Sequence, residues 1–115
     1  QHTVTAYGPC FVEINRVRHT THVVVTPDQV EPWPVTSFET LDISDFEHLR
    51  DLRSEVVLLG TGTRQRFPHP RLTRPLVDAR IGLEVMDTQA ACRTYNILAA
   101  EGRRVAAALF VETER

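Results

Sequence analysis

From residue 55 onward, short apolar runs alternate with amphipathic stretches. Residues 55–59 (EVVLL) form a continuous apolar run, typical of a strand covered on both faces, and 82–86 (GLEVM) and 105–111 (VAAALFV) predict two further apolar strands. Between the first two, Leu72, Leu76 and Val77 predict a helix that ends near Arg80. Pro75 must then sit in its first turn or mark a kink, because proline has no N–H to give the helix interior. Residues 88–101 predict a small-residue helix, with Gly102 in the left-handed position after its end and Arg103 and Arg104 beyond. Residues 82–111 alone make a strand–helix–strand unit of about 30 residues, the size of a parallel crossover. Three buried runs separated by two helices predict a parallel sheet with right-handed connections.

The N-terminal third reads as β. Residues 10–14 (CFVEI), 17–19 and 21–26 (THVVVT) are rich in β-branched side chains, with a turn at Asn15 and Arg16. Pro27 and Asp28 end the last run, and Glu31-Pro32-Trp33-Pro34 predicts an extended connection. Trp33, held between two prolines, predicts a lid over the core. Residues 40–43 predict one more short element. Ser44 is a candidate N-cap, Asp45 and Glu47 suit the positive end of a helix, and Phe46, Leu49 and Leu52 form its apolar stripe over 45–53. The predicted fold class is α/β: a layered domain with parallel strands 55–59, 82–86 and 105–111 linked by helices, plus an antiparallel N-terminal β portion. Residues 1–115 carry no repeat or low-complexity tract and read as a single domain.

Composition narrows the chemistry. A formal charge of −2 on 115 residues argues against nucleic acid as a partner. No apolar run approaches the ~18–20 residues of a membrane-spanning helix, and no signal-peptide pattern opens the chain. All 13 basic residues are arginine. That excludes a Schiff-base lysine, a lysine base and a phosphate-loop lysine within these residues. Cys10 and Cys92 stand far apart at no metal-ligand spacing, and Cys92, inside the small-residue helix, reads as a buried thiol. The five histidines form no site; His19 and His22, three apart, would point to opposite faces of a strand. No metal site, no cofactor and no complete catalytic set is expected, so catalytic residues stay unassigned.

Two loops carry the candidate chemistry. Gly60-Thr61-Gly62-Thr63 follows an apolar run, and its glycines and backbone amides suit close approach to an anion. Asp87 and Thr88 lie between a strand's C-terminal end and a helix's N-terminal end, where open α/β sheets bind ligands. If strands 55–59 and 82–86 are neighbours, the two loops share one sheet edge. Arg93 and Asn96, at i and i+3 on the helix, share a face. In this reading Arg93 clamps an anion, Asp87 serves as base or polar anchor, and Thr61 and Thr63 donate hydrogen bonds. Ala91, Tyr95 and Leu98 form the helix's core stripe, with Ala90, Ala99 and Ala100 permitting close approach to the sheet.

Leu59-Gly-Thr-Gly62, Met86-Asp-Thr-Gln-Ala-Ala-Cys-Arg-Thr-Tyr-Asn96 and Ala99-Ala-Glu-Gly-Arg-Arg-Val-Ala-Ala-Ala-Leu109 resemble a small family of uncharacterised single-domain proteins. That family includes the mitochondrial NADH dehydrogenase (complex I) assembly factor 3 and an adipogenesis-associated domain protein. The likeness runs from Tyr7 to Phe110 and is strongest over 82–111. It implies a compact α/β domain in which an antiparallel β portion joins the strand–helix repeats, and no established activity. It also implies a protein partner, with a membrane complex among the candidates. The expected compartment is the cytoplasm of a bacterium, or the mitochondrion of a eukaryote. Two functions are therefore expected in competition. One is a non-enzymatic interaction or assembly module using residues 64–70 or the surroundings of Trp33. The other is a binder or enzyme for a small anionic ligand between Gly60–Thr63 and Asp87–Thr88.

Overall fold

The computed structural model describes residues 1–113. Two sheets and three helices form its layers. The small sheet is antiparallel, in the order β1 (Val4–Gly8), β2 (Phe11–Ile14), β3 (Val17–His19). Asn15 and Arg16 turn between β2 and β3 with φ of 49° and 70°, the left-handed pair that a two-residue hairpin requires. The large sheet contains β4 (Val23–Val25), β5 (Val30–Pro32), β6 (Val56–Gly60), β7 (Gly82–Met86) and β8 (Val105–Leu109) in the order β5-β4-β8-β6-β7.

The three predicted parallel strands are parallel, with β6 hydrogen-bonded between β8 and β7. Connections of one hand that step in opposite directions along a sheet must lie on opposite faces. Here α2 (Arg74–Asp78) joins β6 to β7 on one face and α3 (Thr88–Ala100) joins β7 to β8 on the other. The antiparallel portion is divided between the sheets. β4 pairs antiparallel with β8 and carries β5 on its far side, so the large sheet is mixed.

Strand alternation sorts the core into two layers. On β8, Val105, Ala107 and Leu109 face α3 and the small sheet, while Ala106 and Ala108, followed by Phe110, face α1 (Ile43–Asp51) and α2. Small side chains on β8 let helices approach from both sides. Trp33 is the lid its sequence predicts: it is 3% exposed and its ring centre lies 5.0 Å from that of Phe110.

Several boundaries move, each for a local reason. Glu55 lies outside β6 and β8 stops at Leu109. Helix α1 starts after Asp42, not Ser44, and the Asp42 N–H donates to the Asp45 carboxylate at 2.8 Å. A 3-10 turn, Pro70–Thr73, occupies the first half of the second predicted helix and leaves α2 short, with Pro75 in its first turn. Val77 is 61% exposed, so Leu72 and Leu76 hold that helix without it. On α3 the buried stripe is Thr88, Ala91, Cys92, Tyr95 and Ala99, whereas Ala100 is exposed. The unpredicted β1 and β5 depend on partners that local periodicity does not show.

Gly60 lies where α3 comes close against the β6 backbone that it leaves bare. A Cβ there would lie 3.0 Å from the Thr88 Cα and 3.1 Å from the Ala91 Cβ. Backbone cannot give way cheaply in a close-packed interior. Gly60→Ala is expected to destabilise the fold by about 1–3 kcal/mol, seen as a lower urea midpoint with an unchanged slope. An unchanged midpoint would refute this packing account.

Candidate functional site

The two loops singled out in the sequence meet at the C-terminal edge of the parallel strands. Gly60 and Met86 stand opposite in register. The Thr61 N–H donates to the Met86 carbonyl at 2.9 Å, and the Thr88 N–H donates to the Gly62 carbonyl at 2.9 Å. Thr88 is the joint. Its buried hydroxyl accepts from the Gly62 N–H at 2.8 Å and donates to the Phe110 carbonyl at 2.7 Å. One side chain thus ties the exit of β6 and the exit of β8 to the start of α3.

The neighbouring polar groups are also engaged. The Asp87 carboxylate accepts from the Ala90 N–H at 2.9 Å and caps α3, a role its position after β7 dictates. The Thr61 hydroxyl donates to the Arg64 carbonyl at 2.6 Å and accepts from the Arg66 N–H at 3.0 Å. The Thr63 N–H reaches the Glu112 carboxylate at 3.4 Å. Each of the three amides after Gly60 therefore has an acceptor inside the chain. Asn96 lies away from this edge, under β1. Its Oδ1 accepts from the Val4 N–H at 2.9 Å and its Nδ2 donates to the Val4 carbonyl at 2.8 Å. A side-chain amide offers the same donor and acceptor as a peptide unit, so Asn96 substitutes for a strand partner.

A cleft of about 330 Å³ remains, lined by Gly62, Thr63, Asp87, Thr88, Gln89 and Arg93, with Gly8, Pro9 and Phe110 as further walls. Gly60, Thr61 and Asn96 do not line it. Arg93 is exposed at its rim, its Nη1 donating to the Tyr7 hydroxyl at 3.2 Å. The charges are mixed, since the Asp87 carboxylate shares the cleft with Arg93. Gly8, Pro9, Tyr7 and Glu112 escape sequence reasoning. Gly8-Pro9 signals a turn, but nothing local says that it folds against the start of α3. A larger cavity, about 480 Å³, opens at the opposite end beside Arg53, Arg103 and Arg104.

Cys92 and Tyr95, the reactive groups of the core side of α3, face inward. Burial pushes the Cys92 thiol up to about 12, against a smaller opposing pull from Arg93. Burial also raises the Tyr95 phenol, whose hydroxyl donates to the His2 carbonyl at 2.8 Å. His22 lies outside the strands, and its ring accepts the Val111 N–H at 3.0 Å. Among the described residues, no three His, Cys, Asp or Glu side chains gather as a metal site.

The family described as "Protein of unknown function (DUF498/DUF598)" matches residues 4–110. The chain belongs to this family. A mouse protein named NADH dehydrogenase (ubiquinone) 1 alpha subcomplex assembly factor 3 is 32% identical over 105 residues, 90% of this chain and 50% of its own length. The chain thus spans about half the length of that relative. An uncharacterised protein of Rhodobacter capsulatus is 34% identical over 108 residues, covering 92% of this chain and 82% of the relative. The crystal structure of a Bordetella parapertussis protein matches at 45% identity with a TM-score of 0.91 over 96% of each chain. The resemblance carried by residues 59–62, 86–96 and 99–109 therefore identifies the family, and its curated relatives include assembly factors.

Thr88→Val preserves shape but leaves the Gly62 N–H and the Phe110 carbonyl without partners. It is expected to cost about 1–3 kcal/mol for each orphaned group, and Thr88→Ser much less, by chemical denaturation. Equal stability of the two variants would contradict the role assigned to the hydroxyl. Iodoacetamide is expected to modify Cys10, which is partly exposed, well before the buried Cys92. Equal labelling rates in the native protein would contradict the burial of Cys92.

Proposed function

We propose that this domain is a protein-interaction module for complex assembly and performs no reaction of its own. The observation that carries the reading is the commitment of polar groups at the strand ends. The amides of Thr61, Gly62 and Thr63 and the hydroxyls of Thr61 and Thr88 all bond within the chain. A general acid, base or nucleophile needs a proton or lone pair aimed at substrate, and these groups offer none. The mouse relative's name, an assembly factor, supports the same class by similarity. By that similarity the partner is a protein, a membrane complex being one candidate. The proposed address is the bacterial cytoplasm, or the mitochondrion for a eukaryotic chain.

Residues 64–70 supply the contact surface. Phe67 is 70% exposed, and Arg64 and Arg71 flank it on the surface. Arginine and large aromatic side chains carry much of the energy of protein interfaces. Trp33, the other aromatic candidate, belongs to the core. The competing reading, a small anion held by Arg93, has a cleft of suitable size. Two carboxylates weigh against it: Asp87 lies in that cleft, and Glu112 already accepts the Thr63 amide.

Immobilised domain is expected to retain a reproducible protein from native lysate of the source cell, and Phe67→Ala to reduce its recovery about tenfold, as loss of a hot-spot side chain does. Absence of any reproducible partner, with folded domain in excess, would sink the proposal. A thermal-stability gain with nucleotides or organic acids that Arg93→Ala abolishes would favour the small-anion reading instead.

A further inference from the structure

β7 is the last strand of the large sheet and has one neighbour, β6. The pairing runs from Val56↔Gly82 to Gly60↔Met86. At its two ends the Gly82 N–H donates to the Glu55 carbonyl at 3.1 Å and the Met86 carbonyl accepts from Thr61. In a parallel ladder alternate residues direct N–H and C=O to opposite sides. Gly82, Glu84 and Met86 therefore bond toward β6, while Leu83 and Val85 direct theirs away from the sheet. Neither outward N–H has a backbone acceptor among the described residues. The Val85 carbonyl is taken by a side chain, with Gln65 Nε2 donating at 2.8 Å. An amide group thus stands where the N–H of a sixth strand would. The other edge is blunted, since β5 has three residues and ends on Pro32.

We infer that the outer edge of β7 docks an extended segment of a partner protein, which adds to the sheet as a sixth strand. This rests on the interaction reading above and specifies how the partner is held. The edge also selects the segment's chemistry. Leu83 and Val85 pack against the core layer under α1 and α2, so the residues beside them extend that layer and must be apolar. Glu84 is exposed on the opposite face, where a Lys or Arg across from it forms a favourable cross-strand pair. The segment therefore alternates apolar, basic, apolar. The same carboxylate discriminates against a second copy of this chain. An antiparallel β7–β7 pair with all five residues matched sets Glu84 against Glu84. A register centred on Leu83 or Val85 avoids that opposition but leaves only three residues on each side. The connection that delivers β7 also carries exposed Phe67 and Val77, apolar surface on the same crossover as the open edge.

Two synthetic heptapeptides test the edge, each alternating valine with threonine around a central residue that is lysine in one and glutamate in the other. The lysine peptide is expected to slow hydrogen exchange at the Leu83 and Val85 amides by about tenfold or more, since ladder bonds protect amides from exchange. The glutamate peptide is expected to do so much less. Leu83→Pro removes an outward N–H and no bond to β6; it should stay folded by circular dichroism and lose the response. Glu84→Arg should reverse the preference between peptides. Unchanged exchange at Leu83 and Val85 with the lysine peptide overturns the inference. So does concentration-dependent protection of those amides without peptide, which would mark a second copy as occupant. Capture of the lysate partner by Leu83→Pro at wild-type yield overturns the edge assignment and leaves the interaction reading standing. Failure of wild type to capture any partner defeats the interaction reading, and the peptide titration then decides the edge separately.

Discussion

The Thr88 hydroxyl lies where β6, β8 and α3 converge, and the arrangement of this end of the sheet depends on it. Gly60 has no side chain, so α3 comes to rest with the Thr88 Cα almost on the β6 backbone. At that separation a threonine hydroxyl spans the Gly62 amide and the Phe110 carbonyl at once. Phe110 is held further by its own N–H, which donates to the Gly60 carbonyl at 2.8 Å. Its ring is thereby fixed among His22, Trp33 and Phe38, and one core layer is anchored to the junction that starts the other. A buried polar network specifies one arrangement only when every member is satisfied, and Thr88 satisfies two groups that no strand or helix pairs.

This junction takes up bonding groups that such an edge would otherwise hold out to a ligand. Open α/β sheets bind at such edges because strand ends and helix N-termini leave amides free. Here the amides of Thr61, Gly62 and Thr63 are filled from within, by a strand carbonyl, a threonine hydroxyl and a carboxylate of the segment after β8. Surplus bonding capacity lies instead at the periphery, on the outer side of β7 and along the connection that leads to it. The interaction reading and the edge inference follow from that redistribution.

Much of the architecture was legible because β6 and β8 are covered on both faces. Continuous apolar runs at 55–59 and 105–111, with a small-residue helix before the second, have few alternative folds; 82–86 reads as a third buried run, but β7 is an edge strand with Gly82 and Glu84 exposed. β1 and β5 were not legible. VTAYG lacks clean alternation, and it is held by Asn96, 92 residues away from Val4; VEP ends on the proline that made it look like a connection. Ser44 is a residue type that caps helices, yet the cap is Asp42, two residues earlier, because only the course of the backbone decides which of two such residues stands at the helix start. At the candidate site the adjacency of the two loops hung on strands 55–59 and 82–86 being neighbours, and β6 and β7 do pair. What the hydroxyls of Thr61 and Thr88 bond to was not legible, because a threonine before a helix reads the same whether its oxygen faces a ligand or the carbonyl of Phe110.

Native-state hydrogen exchange at the Gly62 amide tests the central claim most directly. If Thr88 holds the strand ends together, that amide, though it sits in a glycine-rich loop, exchanges only through global unfolding, at the pace of the core amides of β6. Exchange of Gly62 at the rate of an open loop, while the β6 core stays protected, would contradict the account.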